Sequence, residues 1–405
     1  MNHSQPNITI IGTTLGRRPG RAFGIKPADR NLHVYALGQT GTGKSTLLLN
    51  LIRQDIECER GFCLIDPHGD LAAAVSDMLG PDHLYWNAAD PACPYGYNPL
   101  TPVGDGYRAL VASGIIGTFK KQWVDAWGAR MEHLLRYALL ALLEHPGASM
   151  ADIVPLFLDT EFRNEVIDTI TDEQVREFWT EEYGALRYKN ASDGVVSIAN
   201  KLGAFLAHPI VRKAVCEPEV PLRFRSIMDE GRVLIVNLAK GRLGGDIANI
   251  LGGMIASNIA HAAYTRQELP APMREPFFLY IDEFHSFTTA SFVDMLSELR
   301  KYRLGLILAH QHTTQLDDAT REAILGNVGT LVSFRLGATD AAILARQFAA
   351  DVPTPRDLVN LGNYEMFVKL MIDGQQSRPF SGITIPPAPT AGRLLGLPKA
   401  RLERD

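Results

Sequence analysis

The stretch Gly38-Gln39-Thr40-Gly41-Thr42-Gly43-Lys44-Ser45-Thr46 limits what this chain can fold into more than any other. A strand-like apolar run precedes it at 32–37, and a helix-like run follows at 47–52. The pattern G-x-x-x-x-G-K-S at a strand-to-helix turn is the phosphate-binding loop. Its glycines let backbone N–H groups converge on one phosphate, and the helix N-terminus adds its positive end. Lys44 is spaced to reach the β- and γ-phosphates, and the Ser45 hydroxyl to ligate Mg²⁺. A glycine turn without function would not need both flanking elements. The segment therefore implies a nucleoside-triphosphate site.

Such a site needs a second, acidic element. Phe277-Phe278-Leu279-Tyr280-Ile281-Asp282-Glu283 supplies it, an apolar run of the kind buried in a parallel sheet, ending in two carboxylates. Asp282 would hold Mg²⁺ through its water shell, and Glu283 would polarise the attacking water as general base. The Asp-Glu form points to hydrolysis rather than to a kinase or a slow switch.

At 405 residues and 46% hydrophobic, the chain can bury a large core, and its length predicts two domains. Cys58, Cys63, Cys93 and Cys216 lack zinc-like spacing and read as reduced thiols. The polar start Met1-Asn2-His3-Ser4-Gln5 does not read as a signal peptide, and no run approaches a membrane span. These features predict a soluble, cytoplasmic protein with no direct membrane insertion. A net charge of −5 argues against broad coating of nucleic acid, but leaves room for a narrow basic channel.

Strands alternate with helices from 31 to about 100, after a strand at 8–11 and a Gly/Arg/Pro-rich loop. A second strand, 61–65, ends in the polar turn Asp66-Pro67-His68-Gly69-Asp70. Helical periodicity dominates from about 105 to 225, with helix starts marked at Ser149 and Thr171. Alternation then resumes: strands at 233–237, 277–282, 304–309 and 330–334, and helices near 246–266, 292–301 and 339–348. From Ser377 the Pro- and Gly-rich sequence reads as an irregular arm.

Several polar positions remain open on local sequence alone. Gln311, at a strand's carboxyl end, either senses the γ-phosphate or caps backbone groups. His310 and His312 invite a metal reading that no neighbouring Cys or His supports. Among Arg300, Lys301 and Arg303, a cation either complements a helix dipole or reaches a neighbouring subunit's nucleotide. Arg335 is a second candidate for that reach, and local sequence does not rank the two. The turn Lys240-Gly241-Arg242-Leu243-Gly244-Gly245 is either a DNA-contacting loop or a flexible connection.

Taken as a set, these segments resemble the FtsK/HerA superfamily of ring-forming DNA-pumping ATPases, and most closely the TraG/TraD-type conjugative coupling proteins. The carriers are 38–46, 66–70, Tyr-Asn-Pro-Leu at 97–100, Trp-Gly-Ala-Arg-Met-Glu at 127–132 and Tyr280-Ile281-Asp282-Glu283-Phe284. Arg300-Lys301-Tyr302, His310-Gln311 and Ser333-Phe334-Arg335-Leu336-Gly337 follow in order. The resemblance spans about residues 7–385 and implies an α/β fold. A RecA-like P-loop NTPase core with a mainly parallel sheet would take 1–104 and 226–385. An all-α insertion domain would take 105–225, and a tail 386–405. The resemblance implies ATP and Mg²⁺ as cofactors, Gln311 as sensor, and Arg300 ahead of Arg335 as the finger acting in trans. It further implies a hexamer around DNA, with DNA-stimulated hydrolysis, serving conjugation, type IV secretion or a mobile element. Partners would be a relaxase, secretion-channel proteins, or a nuclease or other effector, with recruitment to the inner membrane through a partner. Unlike typical coupling proteins, the sequence shows no N-terminal transmembrane helices. About 30 residues before the core leave no space for the β-barrel that HerA proteins carry. Two other readings stand beside the DNA motor: a protein-handling secretion ATPase, and a HerA-like scaffold for an antiviral effector.

Overall fold

The computed structural model describes residues 8–385 apart from 17, 82, 102, 186–190 and 350; the tail 386–405 lies outside the described residues. The described residues fall into two compact units, one within 8–60, 278–282 and 305–385, the other within 61–277 and 283–304.

In the first unit the central strand is Val34–Leu37, with all four residues buried. Leu304–His310 pairs with it in parallel on one side and Thr330–Ser333 on the other. Burial on both faces explains why these strands read as continuous apolar runs rather than alternating ones. Phe277–Ile281 lies next to Leu304–His310. Beyond Thr330–Ser333 the sheet turns antiparallel, through Glu365–Lys369, Phe380–Thr384, Thr9–Thr14 and Ala22–Ile25.

That antiparallel edge departs from the sequence reading. The loop after the first strand contains the strand Ala22–Ile25, and the arm from Ser377 contains Phe380–Thr384. The cause lies in glycines at crowded strand positions. A Cβ on Gly12 would stand 2.3 Å from the Ile383 carbonyl oxygen, and one on Gly24 would stand 2.3 Å from that of Thr9. Glycine admits this close backbone approach while weakening the strand signal.

The helix Lys44–Glu57 buries Leu47, Leu48, Leu51 and Ile52, and its Gln54 bridges to the edge by accepting from the Ile10 amide and donating to the Ile10 carbonyl. Near its C-terminal end Asp55 is fully buried against Arg30, with contacts of 2.6 and 2.8 Å. Tyr280 and Arg60 complete the cluster, donating to Asp55 at 2.5 and 2.9 Å, and the Arg30 guanidinium lies 3.7 Å from the Phe278 ring centre. Burial alone would raise the Asp55 pKa. The Arg30 charge and the hydrogen bonds from Arg30, Tyr280 and Arg60 outweigh it and hold the carboxyl below its usual range. The network ties the phosphate-loop helix to the acidic strand.

The second unit has three parallel strands, with Val233–Asn237 between Phe62–Asp66 and Leu84–Asn87. Helices fill Arg108–Gln122, Ala129–Leu142, Ile153–Leu158, Thr160–Thr169, Ala191–Leu206 and Pro209–Cys216. Ala129–Leu142 buries Met131, Leu134, Leu135, Ala138, Leu139 and Leu142, the one-sided spacing that its periodicity predicted. The helix Gly245–Thr265 packs closely on Arg108–Gln122, where a Cβ on Gly253 would come within 2.9 Å of Thr118 Cγ2. Ser149 starts its turn with a capping box. Thr171 does not cap: Asp172 accepts from the Gln174 and Val175 amides, while the Thr171 amide and hydroxyl donate to Glu144. Among the described residues no single helix is long and apolar enough to cross a membrane.

Candidate nucleotide site

The loop that follows Val34–Leu37 is shaped for an anion. Gly41 and Gly43 take φ of 75° and 128°, a region that side chains avoid. A Cβ on Gly41 would meet nothing within 4 Å, so this part of the loop faces open space. Gly43 caps Lys44–Glu57 without any side-chain hydrogen bond, and the first helical turn carries no acidic residue. The first-turn amides and the helix dipole are therefore not neutralised by a local side-chain anion. Lys44 is buried, with Nζ 2.6 Å from the Gly38 carbonyl and 3.2 Å from that of Gln39. The Thr42 hydroxyl donates to the Gln39 carbonyl at 2.7 Å. Ser45 is exposed at the helix start and Thr46 half-buried.

Both parallel neighbours of the loop strand grip the loop. From one, the Gly38 amide bonds the His310 carbonyl, and Thr40 Oγ1 donates to Gln311 Oε1 at 2.7 Å. From the other, the Gln39 amide donates to the Arg335 carbonyl at 2.9 Å, and Arg335 Nε lies 3.4 Å from Gln39 Oε1. Arg335 also donates to the Leu361 carbonyl at 3.3 Å. Gln311 and Arg335 thus stand at the loop of their own chain. Local sequence carried no signal for the Arg335 contact, because its partner lies 296 residues away.

Asp282 follows the buried strand Phe277–Ile281 and is itself buried, as is Glu283. Glu283 takes φ of 48° and opens the short turn Phe284–Ser286. His285 Nδ1 comes within 3.4 Å of Glu283 Oε2, a contact that sequence reading missed. Ser45 and Asp282 offer hard oxygen donors. Among the described residues no group of three or more His, Cys, Asp or Glu could hold a metal. A sparse oxygen set of this kind fits Mg²⁺, which keeps much of its water and takes further ligands from phosphates.

The remaining candidates separate. Of the cations after Ala290–Leu299, Lys301 pairs with Glu298, and Arg303 donates to the Arg274 carbonyl. Arg300 is exposed and makes no ion pair among the described residues. His310 is fully buried against the Tyr35 hydroxyl, whereas His312 lies 3.1 Å from Asp340 Oδ2, so each histidine has its own partner. Lys240–Leu243 forms a short helix rather than a loose connection, its first amide bonded to the Pro67 carbonyl, with Arg242 exposed. In the second unit, Tyr97, Tyr107, Phe224, Asn258 and His261 help line a cavity of about 250 Å³ that no phosphate-loop residue lines. Burial lowers the His261 pKa to about 4 and keeps its ring neutral near pH 7.

Residues 276–351 match the family described as the TraM recognition site of TraD and TraG. A search of curated proteins returned no match. Among solved structures, the chain is similar to the plasmid coupling protein TrwB in complex with a non-hydrolysable GTP analogue. That likeness has 20% identity and a TM-score of 0.65, over 89% of this chain and 87% of that one. TrwB in complex with ADP and Mg²⁺ gives 19% identity and a TM-score of 0.65, over 89% and 87%. VirB4 of Thermoanaerobacter pseudethanolicus gives 14% identity and a TM-score of 0.66, over 96% and 98%.

Proposed function

We propose that this chain, whose fold is that of the TraG/TraD-type P-loop ATPases, is an ATP-driven DNA-translocating motor of a conjugation or type IV secretion system. The observation that carries the reading is the loop 38–46, with its glycine-capped helix start, buried Lys44, and Gln311 and Arg335 held against it. The TrwB structures in complex with an ATP analogue and with ADP and Mg²⁺ share its fold and support ATP with Mg²⁺ as the pair it binds.

In this reading the amides of residues 41–46 cradle the phosphates, and Lys44 exchanges its loop carbonyls for phosphate oxygens. Ser45 and Asp282 hold Mg²⁺, which neutralises charge developing on the phosphates. Glu283 orients and deprotonates the attacking water, with His285 setting the position of its carboxylate. Gln311 leaves Thr40 to meet the γ-phosphate. Arg335 keeps Gln39 and the loop in register within its own subunit. Exposed Arg300 reaches the nucleotide of a neighbour in a hexameric ring. The helices of 105–225 form an insertion domain on the RecA-like core. The motor works in the cytoplasm, with a relaxase and channel proteins as partners.

DNA passes through the ring, with Lys240 and Arg242 among its phosphate contacts. Replacing both with alanine is expected to weaken binding to every DNA sequence and to flatten the salt dependence by about one unit of slope for each cation removed. Basal hydrolysis should persist. DNA binding unchanged across a salt titration would remove this turn from the track. Wild-type protein without DNA binding at low salt would favour a protein-handling secretion ATPase.

A further inference from the structure

We infer that Tyr364 forms the stacking surface for the nucleoside base at the phosphate loop, an inference that rests on the triphosphate reading above. Two aromatic rings abut Gly43, the residue before Lys44. A Cβ there would lie 2.9 Å from Phe334 Cε1 and 3.2 Å from Tyr364 Cδ1. Phe334 is fully buried and closed to a ligand, whereas Tyr364 is half-buried. Of the two residues, Tyr364 is the one that is not fully buried beside the loop.

The backbone holds that ring in place at a conformational cost. Tyr364 has φ of 69°, the left-handed region that a bulky side chain avoids. Its amide donates to the Thr42 carbonyl at 2.8 Å, and its carbonyl accepts from the Thr384 amide at 2.9 Å. On the far side of Gly362 and Asn363, the Leu361 carbonyl receives Arg335, which also contacts Gln39. The segment 361–364 is thus fastened to the phosphate loop at both ends. A residue kept strained by surrounding bonds points to a role for its side chain. Here the chain supplies an aromatic ring at a spot where Asn or Gly would satisfy the backbone more easily.

With the phosphates on the loop amides, a base attached through ribose comes within reach of the protein surface bordering the loop. An aromatic face there suits any flat heterocycle, and purines, with the larger ring system, best of all.

The test separates base from phosphate. Magnesium tripolyphosphate carries the phosphate contacts without a base, and MgATP carries both. Binding of each is measured calorimetrically to the full chain as wild type, Tyr364→Phe and Tyr364→Asn. Asparagine tolerates the left-handed backbone while removing the ring. Tyr364→Asn is expected to bind MgATP about 5- to 150-fold more weakly, the range of one missing base–aromatic stack. Its tripolyphosphate affinity should match wild type, and Tyr364→Phe should match wild type for both ligands. Equal weakening of both ligands, or unchanged MgATP affinity in Tyr364→Asn, overturns the inference. Wild-type protein that fails to bind tripolyphosphate overturns the triphosphate site itself.

Discussion

Residues 38–46 and 66–72 both carry the chain from a buried strand into a helix, and they differ in the side chains they set beside their amides. Each follows a buried strand, passes through a left-handed glycine and enters a helix capped by glycine, with no hydrogen bond from the cap residue's side chain. At 66–72 the chain supplies its own anion. Asp66 accepts from the His68 amide with one oxygen and from the Ala72 amide with the other, both at 2.9 Å. Asp70 adds a carboxylate to the first helical turn. At 38–46 the cap makes no side-chain hydrogen bond, the first helical turn carries no acidic residue, and a buried lysine stands at the first helical position. An aspartate caps one turn from within, whereas the other pairs a glycine cap with a lysine, the arrangement suited to a phosphate.

Lys44→Ala tests the open turn most severely. It is expected to abolish measurable MgATP binding, because the phosphates lose the cation that the loop surrounds; tight binding by this variant would mean that the anion sits elsewhere. Arg300→Ala comes next, with hydrolysis falling by about 10³–10⁵-fold, as for trans-acting arginines. Mixed rings of Arg300→Ala and Lys44→Ala subunits should regain activity where an intact site meets an intact arginine. No recovery in rings shown to mix would place the catalytic arginine in cis. Glu283→Gln should slow hydrolysis by about 10²–10⁴-fold while MgATP binding stays near wild type. An unchanged rate would remove Glu283 as the base. The closed turn yields the smallest effect. Asp66→Ala should cost about 0.5–2 kcal/mol in denaturant unfolding through weakened capping, with MgATP affinity unchanged. A drop in MgATP affinity in Asp66→Ala would mean that the two turns are not separate in function.

Much of this contrast can be read in the sequence on one side and little on the other. The phosphate loop declares itself, because glycines, lysine and serine fall within nine consecutive residues between a strand and a helix. The acidic strand does so too, since burial on both faces writes a continuous apolar run before Asp282. The Asp66 cap was hidden because a helix-capping aspartate and a functional one look alike in Asp-Pro-His-Gly-Asp. The contact of Arg335 with Gln39, and Tyr364 altogether, were hidden for another reason. Their partners, Gln39 and Thr42, are joined to them only through sheet pairing across about 300 residues. The antiparallel edge escaped because Gly12, Gly24 and Gly382 occupy strand positions that propensity assigns to loops. The buried cluster of Arg30, Asp55, Arg60 and Tyr280 left no trace either, since each residue alone reads as ordinary surface charge or strand aromatic.

The central claim is that the open turn drives a motor engaged with DNA. Steady-state ATP turnover by the wild-type chain, measured with and without DNA at low salt, tests it most directly, with Lys44→Ala as the blank. The account predicts Mg²⁺-dependent turnover that rises when DNA is added and vanishes in Lys44→Ala. Turnover that ignores DNA, in protein that also fails to bind DNA at low salt, would contradict it.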